Sequence, residues 1–103
     1  MFPQLAALGR SGTAKHFGIQ SLDEARAYLA HAVLGPRYLD CVSALQELAI
    51  SDPVRMFGET DAMKLRSSLT LFELAGAGPL VSATLDRWFG GERDQATLAL
   101  LAR

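Results

Sequence analysis

Residues 60–75 read TDAMKLRSSLTLFELA, and this stretch decides the fold of the chain. The threonine or the aspartate at its start can cap a helix that runs to about Ala75. Apolar residues fall on more than one face of that helix: Leu65, Leu69, Leu71, Phe72 and Leu74. Because a helix with several apolar faces is usually central in a protein core, we expect this helix to lie at the centre of the fold.

Further helices are indicated on the N-terminal side of this stretch. Ser21-Leu22-Asp23-Glu24 has the pattern of a capping box, and apolar residues follow at helical spacing until Gly35-Pro36. The proline can open a second helix, since the first turn of a helix needs no N–H group from it. The apolar stripe of that helix is Tyr38, Cys41, Val42, Leu45 and Leu48. Asp52-Pro53 then starts one or two helical turns that end before Gly58.

The C-terminal side has the same kind of pattern. Gly76-Ala77-Gly78-Pro79 is typical of a helix end, a turn and a new helix start. The next apolar stripe is Val81, Leu85 and Trp88, and Gly90-Gly91 ends it. Asp94 can cap a final short helix that carries Leu98 and Leu101.

Composition agrees with a helical protein. The chain has 17 Leu and 16 Ala against 4 Val and 2 Ile, a balance that favours helix over strand. We therefore predict an all-α fold, a single compact domain over residues 1–103 built from five or six short helices. Residues 21–103 form the predicted helical core. Residues 1–20 are predicted to be irregular, with a helical turn around 13–17.

Charge and cysteine content exclude several classes of protein. The formal net charge of −1 argues against general nucleic-acid binding and against a polybasic membrane binder, both of which need excess positive charge. The single cysteine excludes an internal disulfide and lacks the companions of a zinc site. No apolar run is long enough to span a bilayer. We expect a cytoplasmic protein without a cofactor or a metal.

Several segments of the chain resemble one bacterial family of small helical domains. The matching segments are Phe2-Pro3-Gln4-Leu5, Leu8-Gly9-Arg10-Ser11, Glu24-Ala25, Tyr28-Leu29, His31, Leu34-Gly35-Pro36-Arg37, residues 61–72, Trp88-Phe89-Gly90-Gly91, Asp94 and Thr97-Leu98. The family is domain of unknown function 1810, whose members are often labelled calpastatin. The resemblance implies an all-helical single domain and brings no reaction. Calpastatin inhibitory regions are disordered and polar, unlike this composition, so the label does not imply protease inhibition.

The sequence departs from that family in two respects. Ala32 and Leu69 stand where members often have proline and methionine. Members also usually carry a further helix and a Trp-rich stretch before the Phe-Pro-Gln segment. The resemblance therefore implies a truncated chain whose core lacks one helix, with an exposed apolar groove in its place.

One cluster of polar residues in the central helix has two interpretations. Lys64, Ser67 and Ser68 are spaced so that they share a helix face, and Arg66 lies between them. The cluster fits an anion or phosphate clamp, with cationic side chains and hydroxyl donors. Alternatively, the hydroxyls bond to helix carbonyls and pack against neighbours, while the charged groups are solvated.

Asp86 and Trp88 form a second candidate site. An acid and an aromatic residue before Gly90-Gly91 are weakly similar to an arrangement in a helical family that acts on ADP-ribose linkages. That similarity implies a nucleotide-sugar pocket in which Trp88 stacks on a base and Asp86 holds a ribose hydroxyl. The alternative is a core tryptophan beside a solvated aspartate.

The remaining candidates have structural interpretations. His16 and His31 could act as general bases, but no nucleophile or carboxylate pair accompanies either one. We expect His31 to cap the end of a helix, where a cation interacts well with the dipole. Cys41 is predicted to be a small core residue. Asp23 and Glu24 are expected to stabilise a helix start.

Three hypotheses on function follow from the sequence. The first is a binding or interaction module that meets a protein partner, or a second copy of the chain, through Phe2, Leu5 and Leu8. The second is a small enzyme or binder for a nucleotide-like or phosphate ligand such as ADP-ribose or NAD. The third is a truncated fragment without an independent role.

Overall fold

The computed structural model describes residues 19, 21–49 and 51–101. Helices occupy most of this part of the chain: α1 (Leu22–Ala30), α2 (Leu34–Gln46), α3 (Pro53–Leu74), α4 (Pro79–Phe89) and α5 (Gln95–Leu101). The predicted all-α, single-domain fold is therefore confirmed. The predicted turn around 13–17 lies outside the described residues.

The predicted caps are present at three helix starts. Ser21, Asp52 and Asp94 each accept a hydrogen bond from the backbone N–H three residues further on, at 3.1, 3.2 and 2.9 Å. A side-chain acceptor at this position satisfies an N–H group that has no partner inside the helix. These short polar residues therefore fix where α1, α3 and α5 begin.

The junction between α1 and α2 differs from the prediction. The first helix ends at Ala30, before the Gly35-Pro36 pair that the sequence indicated as its end. Gly35 lies in the first turn of α2, and Pro36 lies in the same turn, at the start of a second helix as predicted. A Cβ atom on Gly35 would lie 2.0 Å from the carbonyl oxygen of Leu29, so this close approach of two helices requires glycine. Pro36 is tolerated because N–H groups of the first turn have no intrahelical acceptor.

A glycine interrupts α3 where the sequence predicts a break. Gly58 has φ 81° and ψ 166°, a backbone conformation outside the helical region that L side chains rarely adopt. The helical turn before it carries Phe57, whose ring stacks on Trp88 of α4 with the centroids 5.8 Å apart. The break therefore separates a short leading turn from the long central part of α3.

The long part of α3 is the centre of the fold. It packs against α1, α4 and α5, while α2 packs against α1 and α4. The core side chains are Ile19, Ala25, Tyr38, Val42, Leu45, Leu65, Leu69, Leu71, Phe72, Val81, Leu85 and Trp88. The predicted central position of this helix is confirmed, although Leu74 at its end is exposed.

Two members of the predicted α2 stripe are not in the core. Cys41 is exposed, contrary to the prediction, and Leu48 is exposed beyond the end of α2. Successive residues of a helix are 100° apart around its axis, so Cys41 and Leu48 lie roughly 60–80° to one side of Tyr38. The neighbouring helices cover the centre of the stripe, where Val42 and Leu45 are buried, and leave this edge open.

Candidate functional site

An open cleft lies between α3 and the segment that joins α4 to α5. Its volume is about 770 Å³. The cleft is lined by Arg66, Glu73, Gly91, Glu92, Arg93, Asp94, Gln95, Ala96 and Leu98. We call it the Arg66 cleft. Two arginines and three carboxylates among these residues place several charged groups on its lining.

One wall of the Arg66 cleft is a closed ion-pair network around Arg93. Its Nε donates to Glu73 Oε1 at 2.9 Å, and its Nη2 donates to Glu73 Oε2. Its Nη1 donates to the carbonyl of Gly91 at 2.6 Å and lies 3.3 Å from Asp86 Oδ1. Ser82 donates to the same Glu73 carboxylate at 2.7 Å. Every part of this guanidinium therefore has an acceptor.

The network also sets the charge state of its members. The Arg93 guanidinium, assisted by the Ser82 hydroxyl, holds the pKa of the Glu73 carboxyl below its ordinary value of 4.5. The Glu73 carboxylate, and after it Asp86, raises the pKa of Arg93. The pair is therefore ionised at neutral pH and joins α3 to the segment that precedes α5.

Arg66 faces the cleft with far fewer contacts. Its Nη1 lies 3.7 Å from Glu92 Oε2, which is too far for a hydrogen bond. Its Nε is buried, and no acceptor among the described residues reaches it. Buried N–H groups are almost always hydrogen-bonded, and an unsatisfied one costs about 1–3 kcal/mol. Arg66 thus keeps donor capacity that the described protein groups do not use.

The floor of the cleft is held by hydrogen bonds between α3 and the start of α5. Thr70 Oγ1 donates to the Arg66 carbonyl at 2.8 Å and accepts from the Asp94 N–H at 2.9 Å. The Asp94 carboxylate accepts from the backbone and the hydroxyl of Thr97, at 2.9 and 2.6 Å. Asp94 is therefore occupied as the cap of α5, and its position relative to α3 is fixed.

Comparison with known proteins identifies the family. The model of the family described as "Protein of unknown function (DUF1810)" matches residues 1–101. The chain belongs to the DUF1810 family. The resemblance inferred from the sequence is thereby confirmed at the level of the family, whose function is unknown.

A solved structure supports the same assignment of this DUF1810 chain. It is similar, with a TM-score of 0.94 and 44% sequence identity, to the conserved hypothetical protein Rv1873 from Mycobacterium tuberculosis. The match covers 99% of this chain and 74% of that one. No curated protein matches the sequence.

The structure of this DUF1810 domain separates the four residues of the predicted anion clamp. Arg66 lines the cleft, whereas Lys64 is exposed on α3 outside it. Ser67 is buried, and the fully buried Ser68 shares a hydrogen bond of 3.0 Å with the hydroxyl of Tyr38. Of the four, the structure therefore leaves Arg66 as the group that faces the cleft.

Asp86 and Trp88 also lie in different environments. Asp86 is exposed beside the cleft and pairs with Arg93. Trp88 is 3% exposed and packs in the core against Phe57. Its indole Nε1 is buried and has no hydrogen-bond partner among the described residues. The structure does not bring the two side chains together at one open surface.

Sequence reasoning missed the arginine–glutamate pair that builds the cleft wall. Glu73 lies near the end of α3 and Arg93 follows the Gly90-Gly91 turn, twenty positions later. No periodic pattern links residues at that separation. The turn itself was visible in the sequence, and the charged run 92–94 directly after it was the available signal.

In the part of the chain that the structure describes, no helix has the length and apolar character needed to cross a membrane. Within the same residues, no group of three or more His, Cys, Asp or Glu side chains is placed to hold a metal ion.

Proposed function

We propose that this chain binds a small anionic ligand in the Arg66 cleft, with the Arg66 guanidinium holding the anion. The observation that carries this proposal is the partly exposed Arg66 guanidinium, which lines the cleft and whose Nη1 lies 3.7 Å from Glu92 Oε2, beyond hydrogen-bond distance. A carboxylate or phosphate oxygen in the cleft would accept a charge-assisted hydrogen bond from this guanidinium. The planar guanidinium presents several donors in a fixed geometry that suits such oxyanions.

The surroundings of Arg66 support a binding role. The cleft is open to solvent and has room for a small anion, with a volume of about 770 Å³. Its wall is fixed by the bonds between Arg93 and Glu73, and its floor by those between Thr70 and Asp94. Because a site that is already ordered loses little conformational entropy on binding, this arrangement favours affinity.

This proposal revises the nucleotide or phosphate hypothesis drawn from the sequence. Arg66 replaces the four-residue clamp as the anion-holding group, and Lys64 has no part in it. Trp88 is buried in the core, so a base stacked on that ring is not included in the proposal. ADP-ribose, NAD and simple phosphates remain test ligands because each carries an anionic phosphate group. The proposal covers binding and no reaction.

A thermal-shift screen tests the proposal. Inorganic phosphate, AMP, ADP-ribose and NAD are added to the wild type and to two variants, Arg66→Gln and Lys64→Gln. A ligand at 100 times its Kd should stabilise the wild type by about 2.7 kcal/mol. The shift should be lost in R66Q and kept in K64Q, which removes a positive charge from the same helix outside the cleft. A shift that survives in R66Q, or no shift with any ligand, contradicts the proposal.

A second candidate function is an interaction module, the first hypothesis drawn from the sequence. Phe2, Leu5 and Leu8 lie outside the described residues. A different observation favours it: Val54, Met56 and Met63, all in the first half of α3, are 50%, 42% and 56% exposed. Exposed apolar side chains of this size are candidates for contact with a protein partner or a second copy of the chain.

Association is tested by light scattering and by thermal melts at two protein concentrations. A Tm that rises with concentration supports self-association, and Met63→Lys should then abolish the rise. A monomer whose Tm does not change with concentration, and whose surface binds no apolar dye, contradicts this candidate.

We also propose a bacterial source and a cytoplasmic location. The first is supported by the similarity to a mycobacterial protein. The second is supported by the single, exposed cysteine, since proteins of oxidising compartments usually pair their cysteines.

A further inference from the structure

Glu92 is the acidic side chain that faces Arg66 across the cleft. Its Oε2 lies 3.7 Å from Arg66 Nη1, beyond hydrogen-bond distance. The side chain of Glu92 is 78% exposed, whereas that of Arg66 is 30% exposed. A loose pair of this kind, with one partner in solvent, is easily separated.

The neighbouring pair in the same cleft has the opposite character. Arg93 and Glu73 form two parallel hydrogen bonds, and their side chains are 27% and 21% exposed. The cleft therefore contains one arginine whose carboxylate partner is fixed and one whose carboxylate partner is loosely placed. The contrast indicates that the Arg66–Glu92 contact is not needed to hold the wall together.

The backbone at Glu92 is fixed although its side chain is not. The N–H of Glu92 donates to the carbonyl of Phe89 at 3.1 Å, and the next residue is anchored by the Arg93 network. Movement of the Glu92 carboxylate away from Arg66 thus needs only rotation of an exposed side chain, which occurs in picoseconds to nanoseconds.

We propose that Glu92 is an internal competitor for the anion site, its carboxylate lying beside Arg66 in the free protein and rotating into solvent when the anionic group of the ligand binds. This inference rests on the function proposed above and specifies how the same site is regulated. The bond that forms is between Arg66 and the ligand oxyanion, and the contact that is lost is the one between Arg66 and Glu92.

Charge in the cleft then restricts the class of ligand. Two arginines and three carboxylates leave one net negative charge on the lining while Glu92 faces inwards. Once Glu92 points into solvent, the two arginines still face Glu73, Asp94 and the neighbouring Asp86, so the cleft carries no excess positive charge. The cleft therefore accepts one compact oxyanion, a carboxylate or a single phosphate, and disfavours a chain of several phosphates.

The test is a titration with inorganic phosphate at constant ionic strength and pH 7, followed by ¹H–¹⁵N NMR at the Arg66 Nε–H and the cleft backbone. Glu92→Gln keeps the length of the side chain and removes its charge. We expect it to tighten phosphate binding about threefold, the factor that corresponds to loss of one exposed competing charge. Glu92→Asp, which draws the carboxylate back, should tighten binding in the same direction.

Glu59→Gln is the matched control, because it removes one negative charge from an exposed position of α3 outside the cleft. It should leave the affinity for phosphate unchanged. Arg66→Gln should abolish the shifts of the cleft resonances. Dispersed amide spectra of all four variants confirm that they are folded.

The outcomes distinguish this inference from the proposed function. If phosphate binding depends on Arg66 but is equal in the wild type, E92Q and E92D, competition by Glu92 is wrong and the anion site stands. Equal tightening in E92Q and E59Q also overturns it, because net charge would then be the cause. If phosphate shifts no cleft resonance in either the wild type or E92Q, both proposals are wrong.

Discussion

His31 contacts two helices, α1 through its backbone and α2 through its side chain. Its backbone N–H donates to the carbonyls of Ala27 and Tyr28 and so ends α1. Its Nδ1 accepts the N–H groups of Val33 and Leu34, at 3.1 and 3.2 Å, and so caps the start of α2. His31 is therefore the cap at the end of α1, where the sequence led us to expect it, and its side chain also caps the start of α2.

The first prediction concerns that acceptor. His31→Ala should destabilise the fold by about 1 kcal/mol, because two N–H groups at the start of α2 lose their partner. His31→Asn should retain most of the stability, since the Asn Oδ1 can take the place of Nδ1. Urea unfolding of the three proteins measures the difference. Equal losses in H31A and H31N would show that the capping bonds contribute little.

The second prediction concerns Glu73 and pH. Glu73→Gln should destabilise the protein at pH 7 by about 2 kcal/mol, because Arg93 loses two charge-assisted hydrogen bonds. The pKa of Glu73 is lowered in the folded state from its ordinary value of 4.5. Its contribution is therefore fully present above pH 4.5 and is lost as the pH falls through the lower, folded-state pKa.

Urea unfolding between pH 7 and pH 2.5 checks this second prediction. The wild type and E73Q should converge in stability as the solution is acidified. Glu59→Gln, at an exposed position, should change the free energy of unfolding by less than about 0.5 kcal/mol at every pH. A gap between wild type and E73Q that persists at the lowest pH would argue against an ionic contribution.

At the scale of elements, the contact between α1 and α2 depends on one missing side chain. Gly35→Ala would place a Cβ 2.0 Å from the Leu29 carbonyl oxygen, and a backbone atom cannot move aside cheaply. We expect a loss of about 3 kcal/mol, at the upper end of the usual cost of overpacking. Ser43→Ala, at an exposed position of the same helix, should be neutral or slightly stabilising.

Differential scanning calorimetry of G35A and S43A checks this third prediction. A domain of this size loses roughly 4–8 °C of Tm for each kcal/mol, so G35A should melt far below S43A. If the two variants melt together, α1 and α2 can separate at no cost, and the close approach at Gly35 is not needed for stability.

Element ends were predictable to different degrees. Asp52 and Asp94 cap their helices as the sequence indicated, because an N-cap is a local contact over three residues. The Gly35-Pro36 pair gave the start of α2 within two residues but placed the end of α1 too late, since the same dipeptide is typical of a helix end and of a first helical turn. Only the packing of α1 against α2 decides between these two uses.

At the scale of the whole molecule, an aromatic cluster joins α1, α2 and α3. The ring centroid of Phe72 in α3 lies 4.2 Å from that of Tyr38 in α2 and 5.4 Å from that of Tyr28 in α1. Phe72 is completely buried, and burial raises the pKa of the Tyr38 hydroxyl. This cluster combines the apolar faces of three separate elements.

The fourth prediction concerns that cluster. Phe72→Ala should cost about 4 kcal/mol, because it removes the transfer energy of a large side chain and leaves a cavity. That is a large part of the 5–15 kcal/mol available to a typical domain. Met63→Ala, at a side chain that is 56% exposed, should cost less than about 0.5 kcal/mol. Denaturant unfolding followed by far-UV circular dichroism gives both values, and a small loss in F72A would mean that the cluster rearranges.

The candidate site also depends on the tertiary structure of the whole molecule. Arg66 was singled out from the sequence because it lies in a polar cluster of an apolar helix, and it lines the cleft. Lys64, two positions away, was singled out on the same grounds and is exposed outside the cleft. Helical spacing places residues around one axis, but the position of the neighbouring segment decides which of them face a cavity.

The sequence by itself determined the class of fold, most helix starts and the central position of α3. These properties depend on contacts within a few residues or on the apolar periodicity of one helix, and both can be recognised in the amino-acid sequence. Only the tertiary structure decided the exposure of Cys41, the burial of Ser68 against Tyr38 and the pairing of Glu73 with Arg93. Those properties depend on how separate helices pack, because partners twenty or thirty positions apart meet only when the core between them is formed.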